Sequence, residues 1–341
     1  MRSVYDINYS EMSEIMESWG EPSYRVDQLW KALYQHYYTH PKQLTVYSLE
    51  LRDRLGDAFQ FHTFEPEREI LSEDGTTQKT LFRLEDELAI ETVLMGYHDR
   101  RTLCISSQAG CAMGCDFCAT GQMGFQRHLT AGEIVEQVVF FNRRLSEQDL
   151  QLTNIVFMGM GEPFHNYAAV MDSIQRFTHP EGLNMGARRL TISTVGVVPG
   201  IEKFTEENSQ VNLAVSLHAV DDQLRSSMMP INKKYPLDTL MEAIRDYIRV
   251  TNRRVTFEWA LIDGVNDTPQ TAQKLADVLD GMLAHVNLIP LNPTEEFSGE
   301  PAADSQAKQF QAVLQARGIP CSIRLRRGIE IQAGCGQLAS A

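Results

Sequence analysis

With 341 residues and a formal charge of −14, the chain is long enough for a principal domain of roughly 200 to 250 residues beside a smaller one, and too acidic to bind nucleic acid through its overall field. Any such binding falls to a local basic face. Six cysteines are too few for a disulfide framework, no apolar stretch reaches the ~18 residues of a membrane span, and the opening Met1 to Glu11 has no signal-peptide core, so a cytoplasmic protein without a membrane partner is expected.

In chain order, helical segments are predicted over 24–37 and 47–55, then two strands over 79–84 and 89–94 preceded by an Asp74-Gly75 turn. Residues 1–95 therefore read as a small, mainly helical accessory domain with linking strands. From about residue 100 the pattern changes to short, continuous apolar runs alternating with amphipathic stretches. Parallel strands covered on both faces read this way, and six are predicted, over 102–106, 154–158, 190–194, 212–217, 255–261 and 285–290. Between the first two, Thr130 and Glu133 form a capping-box signature for a helix over 131–144, with Ile134, Val138 and Phe141 on one face. Thr268 and Pro269 open another helix, carrying Ala272, Leu275 and Leu279. The count predicts an α/β chain with a partial (β/α)6 barrel over 96–341. Polar or Pro/Gly-containing connections fall at 145–152 and 293–304, the second expected to be mobile beside a site.

Chemistry concentrates after the first barrel strand, at the carboxyl end where barrel enzymes place their sites. There Cys111, Cys115 and Cys118 supply three thiolates at tight spacing and no fourth. A 4Fe-4S cluster held this way keeps one iron open to a substrate, whereas zinc completed by a distant histidine such as His128 is the competing reading of the spacing alone. Gly159-Met-Gly-Glu-Pro163 follows the second strand as a glycine-rich turn without the spacing of a phosphate loop. Cys321 reads as a core cysteine. Paired basic residues read as solvated surface, except that Arg324, Arg326 and Arg327 lie close enough to Cys335 to be candidates for phosphate contact.

Cys-x3-Cys-x2-Cys in this place resembles the radical S-adenosylmethionine (SAM) superfamily, in which SAM chelates the open iron through its amino and carboxylate groups. The resemblance narrows with Cys104-Ile-Ser-Ser-Gln-Ala-Gly-Cys111, Gly159-Met-Gly-Glu-Pro163, Ser216-Leu-His218, Pro230-Ile-Asn-Lys-Lys234, Gly264-Val-Asn-Asp267, Leu288-Ile-Pro-Leu-Asn-Pro293 and Ala333-Gly-Cys-Gly-Gln-Leu338. In this order they are similar to the RlmN/Cfr family of radical SAM RNA methyltransferases. Tyr24-Arg-Val-Asp-Gln-Leu-Trp30 resembles the family's small helical RNA-binding domain.

The resemblance implies a 4Fe-4S cluster on Cys111, Cys115 and Cys118 and two SAM molecules per turnover. Cys335 takes a methyl from the first SAM; the second, cleaved at the cluster, yields a radical that abstracts hydrogen from the S-methyl group, and the carbon then adds to an adenine ring. Cys104 removes the ring proton and closes a transient disulfide with Cys335, a double role that thiolate chemistry allows. Glu91 matches the family's proton acceptor, and Gly161, Glu162, Ser193, Ser216, Leu217, His218 and Asn292 match its SAM contacts.

The implied substrate is C2 of an adenosine in 23S rRNA, at the peptidyl-transferase centre, and of the adenosine 3′ of certain tRNA anticodons, with C8 as the family's other branch. Ala119-Thr-Gly-Gln-Met-Gly-Phe125 and Gly161-Glu-Pro163 favour the C2 branch. A monomer served by a reductant such as flavodoxin or ferredoxin is expected. An iron-sulfur RNA-binding or ribosome-assembly factor, the reading from another class, needs neither Cys104 nor Cys335.

Overall fold

Continuous apolar runs dictate where the chain buries itself. In the computed structural model, which describes all residues but 62, 63, 325, 326, 340 and 341, a ten-stranded sheet runs in strict chain order. Its first strands, β1 (Pro66–Leu71), β2 (Thr77–Arg83) and β3 (Ala89–Gly96), are antiparallel, and β3 pairs antiparallel with β4 (Arg101–Cys104). From β4 onward each pairing is parallel, through β5 (Asn154–Phe157), β6 (Leu190–Thr194), β7 (Asn212–Ser216), β8 (Val255–Leu261), β9 (Ala284–Pro290) and β10 (Cys321–Ile323). All six predicted barrel strands are present. The seventh parallel strand, β10, escapes sequence reading because it is three residues long, with Pro320 before it and no apolar run. Its Cys321 is half-buried.

Crossover helices cover the sheet as the caps require. Thr130 accepts from Glu133 N–H and Glu133 answers at the Thr130 N–H, opening the helix Ala131–Ser146. Thr268 caps Pro269–Val278 in the same way, through the Thr271 N–H. Phe157, Ile192, Val215, Phe257, Trp259 and Leu288 are all buried in one continuous core. The connection at 293–304 is tied rather than loose: Asp263 N–H donates to Glu300 O at 2.9 Å, and Pro301 bridges to Ile262.

Before the sheet come three helices, Tyr9–Ser18, Tyr24–Tyr34 and Leu49–Ala58. The first is absent from the sequence reading; Asn8 caps it through the Glu11 N–H. Trp30 and Tyr34 join the same core as the barrel. Asp6 caps the helix Ala131–Ser146 from outside by accepting the Gly132 N–H at 2.9 Å. Only glycine fits there, since an added Cβ lies 2.5 Å from Asp6 Oδ1. Ser3 donates to Glu136 Oε1 at 3.0 Å across the same contact. Among the described residues no helix is long and apolar enough to cross a membrane.

Candidate active site

Parallel strands point their carboxyl ends at one shared cavity. Cys111, Cys115 and Cys118 line one wall; Ser193 from β6, Ser216 from β7 and Asn292 just beyond β9 line others, with Gly161, Glu162, His218 and Cys335 completing it. Of the sequence-predicted residues, Leu217, Cys104 and Glu91 stand apart. Leu217 is fully buried, its N–H donating to Glu258 O at 3.1 Å.

The cysteine loop is fixed by its backbone. Gly110 takes φ +71°, and a Cβ there would meet Gly124 O at 1.9 Å. That closeness lets Cys111 N–H donate to Gly124 O at 3.0 Å. Asp116 N–H donates to Met228 O at 3.1 Å, docking the loop on the helix Asp222–Met228. Burial raises all three thiols above their ordinary values, Cys111 to about 12. Bare thiols here are neutral, and thiolates need a cationic partner such as iron.

A soft donor set of three cysteines around one cavity fits an iron-sulfur cluster, whose size holds its sulfurs apart. Among the described residues no group of three or more His, Cys, Asp or Glu side chains is placed to hold a metal ion directly. His128 is exposed on the hairpin strand Phe125–His128, with Nδ1 3.0 Å from Gln108 Nε2. It does not line the cavity.

Glu162 is buried with both oxygens aimed by the backbone: Phe164 N–H donates to Oε1 at 2.9 Å and Val195 N–H to Oε2 at 2.8 Å. Burial pushes its carboxyl up to about 7 despite those donors. Gly161 before it, at φ +101°, leaves no room for a side chain against Gln108. His218 also has a left-handed backbone, φ 58°, and its Nδ1 accepts the Ala260 N–H at 2.9 Å. Burial and then Arg225 push its imidazole down to about 3, so it stays neutral.

Cys104 ends β4, and Cys335 lies in the C-terminal segment; the two line one small cavity together with Arg324 and Met158. Cys335 borders the main cavity as well. Both thiols are free. Burial, then the neighbouring Cys335, raise Cys104 to about 12, while Arg324 opposes the rise. Cys335 keeps exposed surface, yet desolvation of its thiol raises it as well, and Arg324 lowers it. Burial works against the Arg324 charge, but Cys335, Glu258 and Cys104 hold it above its ordinary value. Arg324, expected from the sequence to contact phosphate, lines this cavity with both thiols and also borders a second one with Arg327 and Tyr97. Arg327 instead donates to Thr76 Oγ1 and Gly96 O and lies over Tyr97, and Arg326 falls outside the described residues.

The segment carrying Cys335 is strapped down at several points. Ala119 N–H donates to Gly336 O at 2.7 Å, Thr120 Oγ1 to Leu338 O at 2.6 Å, and Asn292 Nδ2 to Cys335 O at 3.0 Å. Glu91 accepts the Ala339 N–H on Oε2 at 3.0 Å while its Oε1 pairs with Lys79. Sequence reasoning missed Lys79, Arg225 and Glu258. For Glu258 the signal was present, a carboxylate inside the continuous apolar run of β8.

The family model described as "Radical SAM superfamily" matches residues 105–276, and "Ribosomal RNA large subunit methyltransferase N-terminal domain" matches residues 3–60. Proteins of Chloroflexus aurantiacus and Myxococcus xanthus that carry the RlmN dual-specificity RNA methyltransferase name are each 47% identical to the chain. The alignments cover 99% and 98% of the chain and 93% and 94% of those proteins. The crystal structure of a radical SAM methyltransferase from Sphaerobacter thermophilus is 48% identical, with a TM-score of 0.96 and full coverage of both chains.

Proposed function

This chain belongs to the RlmN family of dual-specificity RNA methyltransferases within the radical SAM superfamily, and from that membership we propose how its residues divide the reaction. The substrate atom is C2 of an adenosine, in 23S rRNA and in tRNA. Cys335 carries the methyl group and Cys104 releases the product. The observation that supports this division is the cavity shared by Cys104 and Cys335, with Cys335 also facing the three-cysteine pocket.

Bound at that pocket, a 4Fe-4S cluster and SAM supply the power to take a hydrogen atom from a methyl group. Cys111, Cys115 and Cys118 hold the cluster. Glu162, its oxygens already fixed by Phe164 and Val195, receives the SAM amino group beside Gly161, while Ser193, Ser216, His218 and Asn292 frame the rest. Arg324 eases ionisation of the buried Cys104 and of Cys335, so that Cys335 can accept a methyl and Cys104 can take the C2 proton. The adduct gives up its unpaired electron to the reductant's electron-transfer chain; Cys104 sulfur then bonds to Cys335 sulfur as the carbon–sulfur bond breaks, and the bonding pair leaves with the methylene carbon, which takes up a proton to become the methyl group. Glu91, on the same strand face as Val93 and Met95 of that cavity, serves as proton acceptor.

RNA capture is assigned to the accessory region, residues 1–95, ahead of the catalytic residues 96–341. Tyr24 is half exposed there, and Arg54 lies 4.4 Å over Trp19, a cation and ring set suited to nucleotides. The enzyme acts in the cytoplasm as a monomer, with flavodoxin or ferredoxin as reductant. Nucleoside mass spectrometry after incubation of RNA with the reduced, cluster-loaded enzyme tests the reading. It is expected to show 2-methyladenosine in both RNAs. Only 8-methyladenosine, or SAM label that never enters RNA, overturns it.

A further inference from the structure

Arg225, on the helix Asp222–Met228, has no exposed surface. Its guanidinium donates to Val195 O at 2.7 Å, Ser216 O at 3.1 Å, Leu217 O at 3.1 Å and Asn232 Oδ1 at 2.8 Å. All of these are neutral oxygens. Among the described residues no carboxylate lies within ion-pair distance of it. Asp222 is one bond removed, its Oδ1 accepting from Asn232 Nδ2 and from the Leu237 N–H. A charge taken out of water without a counterion is costly, and native chains keep such groups paired.

The missing anion lies on the cysteine side. Cys115 shares one buried apolar cluster with Met228 and Met229, against which Leu224 packs, and Asp116 N–H is bonded to Met228 O. Burial pulls the Arg225 guanidinium down to about 10, and Cys115 opposes that pull more than Asp222 does. Three thiolates around an iron-sulfur core give the pocket a net negative charge, and charge near a cluster sets its reduction potential.

We propose that Arg225 is the built-in counter-cation of the cluster held by Cys111, Cys115 and Cys118, and that it raises the cluster's reduction potential. The inference rests on those cysteines holding a cluster. A fixed positive charge in a water-poor site favours the state with one more electron, so the reduced form gains more than the oxidised one. The same guanidinium pins the ends of β6 and β7, and a purely structural clamp is the competing role.

An EPR-monitored redox titration of the reconstituted full chain, without RNA, separates the two. Arg225→Lys keeps the charge and loses the fork, and is expected to hold the wild-type midpoint. Arg225→Gln removes the charge and is expected to lower the reduced-to-oxidised ratio at fixed poise by about tenfold or more, about 59 mV for a one-electron couple. Asn232→Asp keeps the clamp but sets a carboxylate beside the guanidinium, and is expected to shift the midpoint the same way. If Arg225→Gln does not fold, Asn232→Asp decides. Cluster-loaded Arg225→Gln or Asn232→Asp with the wild-type midpoint overturns the proposal. A wild-type chain that takes up no cluster overturns the underlying reading of the three cysteines.

Discussion

Lys79 Nζ and Glu91 Oε1 meet at 3.0 Å with almost no solvent on either side chain. They lie on neighbouring antiparallel strands, where Lys79 is paired with Val93 and Glu91 with Leu81. Removing one partner of such a pair strands the other charge. Lys79→Met is therefore expected to cost about 3–5 kcal/mol of stability, most of it regained in Lys79→Met/Glu91→Leu. Urea unfolding of the single and double variants checks this. A single variant as stable as the double would mean that Glu91 finds another partner.

Arg324→Met removes the cation that opposes the rise of the Cys104 and Cys335 thiols. An opposite charge at close range moves a pKa by about 1–3 units, so the thiolate fraction at Cys335 is expected to fall about tenfold or more below the thiol pKa. Self-methylation of Cys335, followed by protein mass spectrometry across pH, should slow at neutral pH and move its pH profile upward. An unmoved profile rejects the role.

Glu136 is buried where the N-terminal helices meet the barrel, and burial holds its carboxyl well above the ordinary range. Among the described residues its Oε2 has no hydrogen-bond partner. Above the ordinary carboxylate pKa the folded chain keeps a proton that the unfolded chain has released. Stability from this group is thus fully present below that value and is lost as pH rises toward the raised one, by about 1.4 kcal/mol per pH unit. Glu136→Gln should flatten that slope in thermal melts against pH. Identical slopes in both chains would place the proton elsewhere.

Gly110→Ala would force a side chain onto Gly124 O in a left-handed backbone. The strain is about 1–3 kcal/mol, and relief requires the cysteine loop to open. Iron and sulfide content after reconstitution should drop well below that of the wild type while far-UV circular dichroism is retained. Full cluster loading would show that the hairpin can shift.

Much of this was legible in the residues. Six continuous apolar runs marked six parallel strands, and Thr130 with Glu133 marked a helix start, because burial and capping act over short spans. Cys104 and Cys335 drew notice only through neighbouring motifs, since their meeting depends on the whole fold. Lys79 and Arg225 stayed hidden for another reason. A lysine in a strand and an arginine in a helix are ordinary surface signals until register and docking put them inside. Arg324 drew notice for its basic neighbours, and only the fold shows that it shares a cavity with Cys104 and Cys335.

The strap across Ala119 and Thr120 ties the residue proposed to carry the methyl group to the loop proposed to hold the iron. The hydrogen bonds that seat the cysteine loop thus also set where Cys335 sits, so a substitution that shifts one moves the other.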